Sequence, residues 1–340
     1  MAGRIKLSVL DQSPVRAGFT FANAVQETLE LAQLADQLGY TRYWVAEHHS
    51  TDGLAGSSPE VLVARIAGVT EEIKVGSGGV MLSHYSPLKV AENFGLLETM
   101  YPGRIDLGIG RAPGSDQLTA QALAYGSPTD TKYFPAKVRD LTLFLTDSIP
   151  DDHPLRGIHA SPVAERPPEV WLLGSSDQSA TLAAHFGLAF SFAQFISPDG
   201  GSYVTNAYRE AFKPSTSLAE PKCSLGVFVI CADSEEEAER HARSRDLWRL
   251  WLEQGELRPV PSLEEVESHE FTAQQAARIE ANRSRHIVGT PEMVRERLTA
   301  MMEEYDVEEF VVNTIVHDPA VRRRSYELLA QAFDLAPRNI

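Results

Sequence analysis

The sequence predicts an α/β chain folded as a single (β/α)8 TIM-type barrel domain over residues 1–340, with insertions after strand 4 and between strands 7 and 8. Three observations carry that expectation. Strand-like and helix-like stretches alternate from end to end in eight pairs, no compositional break divides the chain into lobes, and polar residues collect where apolar runs stop. A doubly wound open sheet is the alternative that the same alternation allows. With 43% hydrophobic and 23% charged residues, the chain can bury a large core.

The strands are expected at 5–10, 42–47, 73–82, 104–110, 169–174, 188–194, 222–231 and 308–316, several of them rich in β-branched or aromatic residues. Helix starts are readable between them. Ser58-Pro59, Ser86-Pro87 and Thr290-Pro291 each place a hydroxyl before a proline at the first helical position, and Ser234-Glu235-Glu236-Glu237 has the spacing of a capping box. Residues 111–133 and 255–286 exceed a minimal barrel. The second of these contains a polar helix candidate near 272–282, and both are expected to shape a pocket or to cover it.

Charge and composition exclude some functions. A formal charge of −16 opposes non-specific nucleic-acid binding, which needs basic surface to displace counterions. Ile5-Lys6-Leu7-Ser8-Val9-Leu10 is too short for a secretory core, and no apolar run would cross a bilayer. Cys223 and Cys231 sit in one expected strand, about 26 Å apart at ~3.3 Å per residue, so they cannot pair there. A cytoplasmic, reduced protein is expected.

Four strand ends carry the candidate chemistry. In Tyr43-Trp44-Val45-Ala46-Glu47-His48-His49 an apolar run stops in a carboxylate and two imidazoles. Adjacent strand residues face opposite ways, so the two histidines are not expected to chelate one metal. Val75-Gly76-Ser77-Gly78-Gly79 interrupts a strand with glycines, which marks either close packing against a neighbour or the approach of a flat ligand. Gly108-Ile109-Gly110-Arg111 ends in a cation whose planar fork suits a phosphate, and its glycine spacing departs from a dinucleotide fingerprint. Trp171-Leu172-Leu173-Gly174-Ser175-Ser176 leads into a helix start where Ser176 and Ser179 could either cap or add donors to an anion. No Gly-x-Ser-x-Gly elbow is present, and no cysteine with a basic neighbour sits at the C-terminal end of a strand, which makes hydrolase chemistry the minor reading.

Taken in order, these four motifs resemble the bacterial luciferase-like flavin monooxygenase family, and the likeness spans nearly the whole chain. Within it the chain is most similar to single-subunit members, which share the Trp-Leu-Leu-Gly-Ser-Ser strand and a following Phe-rich strand, here Phe190 to Phe195. The resemblance implies a barrel that binds reduced FMN, supplied by a separate flavin reductase, and uses molecular oxygen on a small organic substrate. It implies that His48 is the active-site histidine and Glu47 a carboxylate beside the flavin. Gly78 and Gly79 would form a non-prolyl cis peptide beneath the ring. Arg111, Ser175, Ser176 and Ser179 would hold the phosphate, Pro113 would lie near the ring, and Gln194, near which the luciferase α subunit has a tryptophan, would belong to the cofactor site. A homodimer through helices at 58–70 and 87–100 is also implied.

Departures matter as well. The luciferase α subunit has a cysteine at the place of Gly110 and a glutamate at that of Ser175, so light emission is not expected. The family also contains deazaflavin-dependent oxidoreductases and non-catalytic flavin-binding proteins, both of which remain open readings.

Overall fold

Every strand of the chain lies parallel to its neighbours, and the sheet closes on itself. In the computed structural model, which describes residues 5–112, 116–126 and 131–340, the order is β1 (Lys6–Asp11), α1 (Phe21–Gln37), β2 (Arg42–Val45), α2 (Pro59–Ala67), β3 (Lys74–Met81) and α3 (Pro87–Met100). There follow β4 (Ile105–Gly110), α4 (Gln117–Ala124), α5 (Phe134–Leu145), β5 (Glu169–Gly174), α6 (Asp177–Phe186), β6 (Ala189–Ala193) and α7 (Gly201–Ala211). The last third contains β7 (Cys223–Cys231), α8 (Glu235–Glu253), α9 (Leu263–Ser268), α10 (Ala273–Arg283), β8 (His286–Gly289), α11 (Pro291–Tyr305), β9 (Glu309–Asn313) and α12 (Pro319–Ala332). Among the described residues no helix is long and apolar enough to cross a membrane.

The barrel has eight strands, β1 to β7 and β9, and pairing of Phe190 with Cys223 between β6 and β7 closes it. The predicted (β/α)8 architecture is therefore the observed one. One strand was not foreseen. β8 pairs with the far half of β7, Val229 against Ile287, while the near half of β7 pairs with β9. Four residues at the edge of a polar insertion carry too little periodicity to announce a strand.

Two of the expected caps differ from the prediction. Ser234 and Thr290 accept from the third helical N–H, at Glu237 and Met293. Ser58 and Ser86 make no such side-chain bond, so α2 and α3 start with proline but without the hydroxyl cap.

The interior is layered. At the bottom, Arg42 pairs with Asp106 and Glu309, while Lys74 and Lys222 bind Glu169. Above this charged plug, Trp44 meets Trp171 edge-on with ring centroids 5.2 Å apart, and the Trp44 indole N–H donates to Asp106 at 2.9 Å. Leu10, Trp44, Leu173 and Val311 finish this layer and form the floor of the cavity above it.

Candidate active site

A cavity of about 640 Å³ opens at the C-terminal ends of the strands, the face that parallel barrels use for chemistry. Its walls include Glu47, His48, Gly78, Gly79, Arg111 and Ser176. Ser175 and Ser179 line it too. Arg111 and His48, expected at one rim, therefore share one cavity. Pro113 lies outside the described residues. Gln194 does not line the cavity. On and beyond β6 the alternation sends Ser191, Ala193 and Phe195 into it, and Gln194, buried, falls between them on the other side.

The second strand stops earlier than its sequence suggests. Ala46 N–H makes the last bond to β1, at Asp11 O, and His48 N–H donates instead to Gly56 O, so the chain leaves the ladder there and folds over the rim. Glu47 is thereby buried, and its carboxylate accepts from the Tyr85 hydroxyl at 2.6 Å, the Met81 N–H at 2.9 Å and His49 Nε2 at 2.7 Å. This clasp ties the end of β2 to the end of β3. Burial first, and then the bond to Glu47, push the Tyr85 hydroxyl far above the ordinary phenol range. Tyr85 carries no motif, so nothing in the sequence announced it.

His48 is different: its Nδ1 is buried without a partner. Burial, with a smaller contribution from His49, lowers its pKa to about 4. The imidazole is therefore neutral from pH 5 to 8. A titration of its ring protons by NMR is expected to show a midpoint near 4, and a midpoint near the unperturbed value of about 6.5 would reject that environment.

The close-packing reading of the glycine cluster holds, and the cis peptide that the resemblance implied is present. The Gly78–Gly79 peptide is cis, and these residues line the cavity. They are also tightly packed: a Cβ at Gly79 would stand 2.6 Å from Gly108 O, and one at Gly78 would stand 2.7 Å from Leu10 Cδ1. At Gly110, by contrast, a Cβ would meet nothing within 4 Å. That position borders open cavity.

At the far end of the cavity the start of α6 meets the end of β4. Ser176 caps α6 by accepting from Ser179 N–H, and the two hydroxyls lie 3.2 Å apart. Arg111 reaches across from the end of β4 and donates to Gln178 Oε1, in the first turn of α6, at 2.7 Å. Ser83 Oγ holds the Arg111 carbonyl at 3.1 Å. A guanidinium, a helix N-terminus and two hydroxyls thus meet at one place, and Arg111 is the one cation lining this cavity among the described residues.

The profile of the luciferase-like monooxygenases matches residues 5–308. The N-acetyl-S-alkylcysteine monooxygenase of Bacillus subtilis (strain 168) is 41% identical over 337 residues, covering 98% of this chain and all of its own length, 100%. The luciferase-like monooxygenase of Escherichia coli (strain K12) is 40% identical over 332 residues, covering 95% of this chain and 96% of its own. Among solved structures, apo-MsnO8 superposes with a TM-score of 0.88 at 40% identity, over 98% of this chain and 100% of its own.

Proposed function

The chain belongs to the luciferase-like monooxygenase family, and from that premise we propose that it is an FMN-dependent monooxygenase. It takes reduced FMN from a separate reductase and uses molecular oxygen on a small organic substrate. The observation that carries this reading is the single cavity with an anion cradle at one end and a neutral, unpartnered imidazole on its wall. The donor set suits a dianionic phosphate. The open space at Gly110 and the flat Gly78–Gly79 wall suit a planar ring.

In this reading Arg111, the Ser176 and Ser179 hydroxyls and the first turn of α6 bind the phosphate, with Ser175 beside them. Reduced FMN, when bound, supplies the reaction with oxygen. His48 offers a neutral ring nitrogen that exchanges a hydrogen bond or a proton at the reacting centre. Glu47, whose oxygens are taken by Tyr85, His49 and Met81, is a positioning residue that fixes the rim. Leu10, Trp44 and Val311 keep water from beneath. Cys223 and Cys231 are free, and burial pushes both thiols up to about 12, which suits a cytoplasmic protein and gives them no part in the chemistry.

Equilibrium titration of the apo protein with FMN, riboflavin and a deazaflavin tests the cofactor. FMN is expected to bind tightest. Binding of the deazaflavin in its place would sink the FMN assignment, and reduced FMN consumed with oxygen but without an oxygenated product from any member of a broad panel would favour a non-catalytic flavin carrier. A Gly110→Leu substitution should fill the cavity and abolish FMN binding, while the melting temperature stays within about 2 °C. Retained FMN affinity in that variant would place the ring elsewhere.

A homodimer belongs to the same proposal. Val61 on α2, with Leu96 and Met100 on α3, are large hydrophobic side chains left in solvent on the two helices that the resemblance assigns to the interface. Sedimentation should give twice the chain mass of 37.4 kDa, and a species at the chain mass alone removes the dimer.

A further inference from the structure

A second cavity, of about 550 Å³, adjoins the first and shares Gln12, His48, Phe195 and Ile196 with it. This volume falls in the range, roughly 300–1,000 Å³, that small-molecule sites occupy. Its wall is built mainly by α8 and by the insertion that carries α9, α10 and β8. The insertion is fastened to α8 by Arg283 on Asp246 and by Arg278 and Asn282 on Glu253.

Arg245, from the middle of α8, lines this cavity and is only 3% exposed. Its guanidinium lies 3.7 Å over the Phe228 ring, and its Nη1 donates to His286 Nδ1 at 2.9 Å. Its Nε has no partner, and among the described residues no carboxylate pairs with it. The nearby acids are already engaged: Arg283 holds Asp246 through both carboxylate oxygens, and Arg249, Arg278 and Asn282 share Glu253. Arg249 and Arg285 line the same cavity, and among the described residues the one acidic side chain on its wall is Asp116, which caps α4. The His286 ring carries no charge, because burial and the surrounding arginines press its pKa to about 2.

The carboxylate that acts on Arg245, Asp246, makes no ion pair with it and is held by Arg283, so the buried guanidinium is incompletely compensated and a ligand carboxylate could add charge-assisted hydrogen bonds. In a chain of net charge −16, Arg245 and Arg285 give this wall a local positive field that favours anions, while Arg249 on the same wall is held by Glu253. The wall also carries an apolar face of Phe195, Phe228, Trp248, Leu252 and Leu257, with the polar side chains of Gln12, His49, Thr51 and Asn282 beside it.

We infer that this second cavity is the substrate compartment and that it takes an organic carboxylate with an apolar body, its acid group on Arg245 and its body towards His48. The inference rests on the proposal that the flavin occupies the first cavity. Arg245 is then a specificity residue for the same reaction, remote from the chemistry.

The test is calorimetric titration of the full-length protein, apo and FMN-loaded, with 4-phenylbutyrate and its uncharged amide, 4-phenylbutanamide. The carboxylate is expected to bind at least about tenfold tighter than the amide. In Arg245→Gln the ratio should approach one, with FMN affinity changed by no more than about twofold. Equal affinities in the wild type, no binding of 4-phenylbutyrate at about 10 mM, or a carboxylate preference that survives Arg245→Gln would each overturn the inference. If circular dichroism shows that Arg245→Gln does not fold, Arg285→Gln at the half-exposed rim takes its place. That variant should lower the ratio by about threefold, and an unchanged ratio overturns the inference. Failure of FMN to bind would sink the cofactor reading alone, because the apo titration reads the anion site separately.

Discussion

Replacing Arg111 with alanine weakens FMN binding by about 30- to 150-fold, which corresponds to about 2–3 kcal/mol for lost hydrogen bonds between a guanidinium and a phosphate. The side chain is half-buried at the cradle, where its contact to Gln178 is a single hydrogen bond that leaves other donors for a ligand. Riboflavin, which lacks the phosphate, should bind wild type and variant equally, so the preference for FMN over riboflavin collapses in Arg111→Ala. Fluorescence quenching of each flavin on titration with apo protein measures both affinities. An Arg111→Ala protein that still prefers FMN by the wild-type margin would remove the phosphate from this cradle. Gln178→Ala is the control: it frees the guanidinium from its protein partner and should leave FMN affinity the same or slightly higher.

Arg42→Met is expected to destabilise the fold by about 3–5 kcal/mol, because the loss of one member of a buried charge network leaves the others uncompensated. Arg42 is 2% exposed, with Nη1 at 2.5 Å from Asp106 and Nε at 2.5 Å from Glu309. Three cations, Arg42, Lys74 and Lys222, meet three carboxylates, Asp106, Glu169 and Glu309, so the plug is neutral only as a set. A chain of 340 residues has an unfolding entropy of about 0.7 kcal/mol/K, so the melting temperature should fall by roughly 4–7 °C. Lys6→Ala, which breaks a pair with Glu308 that is more than half exposed on both sides, should change stability by about 0.5 kcal/mol or less. Equal effects of the two substitutions would mean that the plug is not stabilising.

The plug also carries a pH signature. Burial alone would raise the Glu169 pKa, yet Arg42, Lys222 and Lys74 together hold it at about 2, below the ordinary value of 4.5. A carboxyl whose pKa is depressed on folding contributes stability above its unfolded value, and that stability is lost as pH falls through the folded one. The loss should therefore run between pH 4.5 and about 2 in the wild type. In Arg42→Met the window should narrow, its lower edge moving up towards 4.5, as read from stability against pH followed by circular dichroism.

Much of the fold was legible because strands buried on both faces read as short apolar runs with recognisable ends. Glu169–Gly174 is the expected strand 169–174, and Cys223–Cys231 differs from the expected 222–231 by one residue. The helix expected near 272–282 is α10, started by a Thr272–Gln275 capping box. His48, Arg111, Ser176 and Ser179 were legible as polar residues at strand ends and converge on one cavity. Gln194 was not, because the β6 alternation carries it away from the cavity that its neighbours line. Arg245 and His286 were not either, since each is an ordinary polar residue in sequence, and their meaning depends on which acids nearby are already paired.

The amino-acid sequence alone determined the number and order of the β/α units, the strand ends that carry reactive groups and the net negative charge. These are properties of short windows, written in side-chain period and local propensity. Only the tertiary structure decided that Arg42 meets Asp106 across 64 positions and Glu309 across 267, that Glu47 is clasped while His48 is left without a partner, and that an unpaired guanidinium faces a second cavity. The physical reason is closure. The barrel brings distant segments to one axis, and there the balance of dehydration and charge depends on neighbours that no local pattern names.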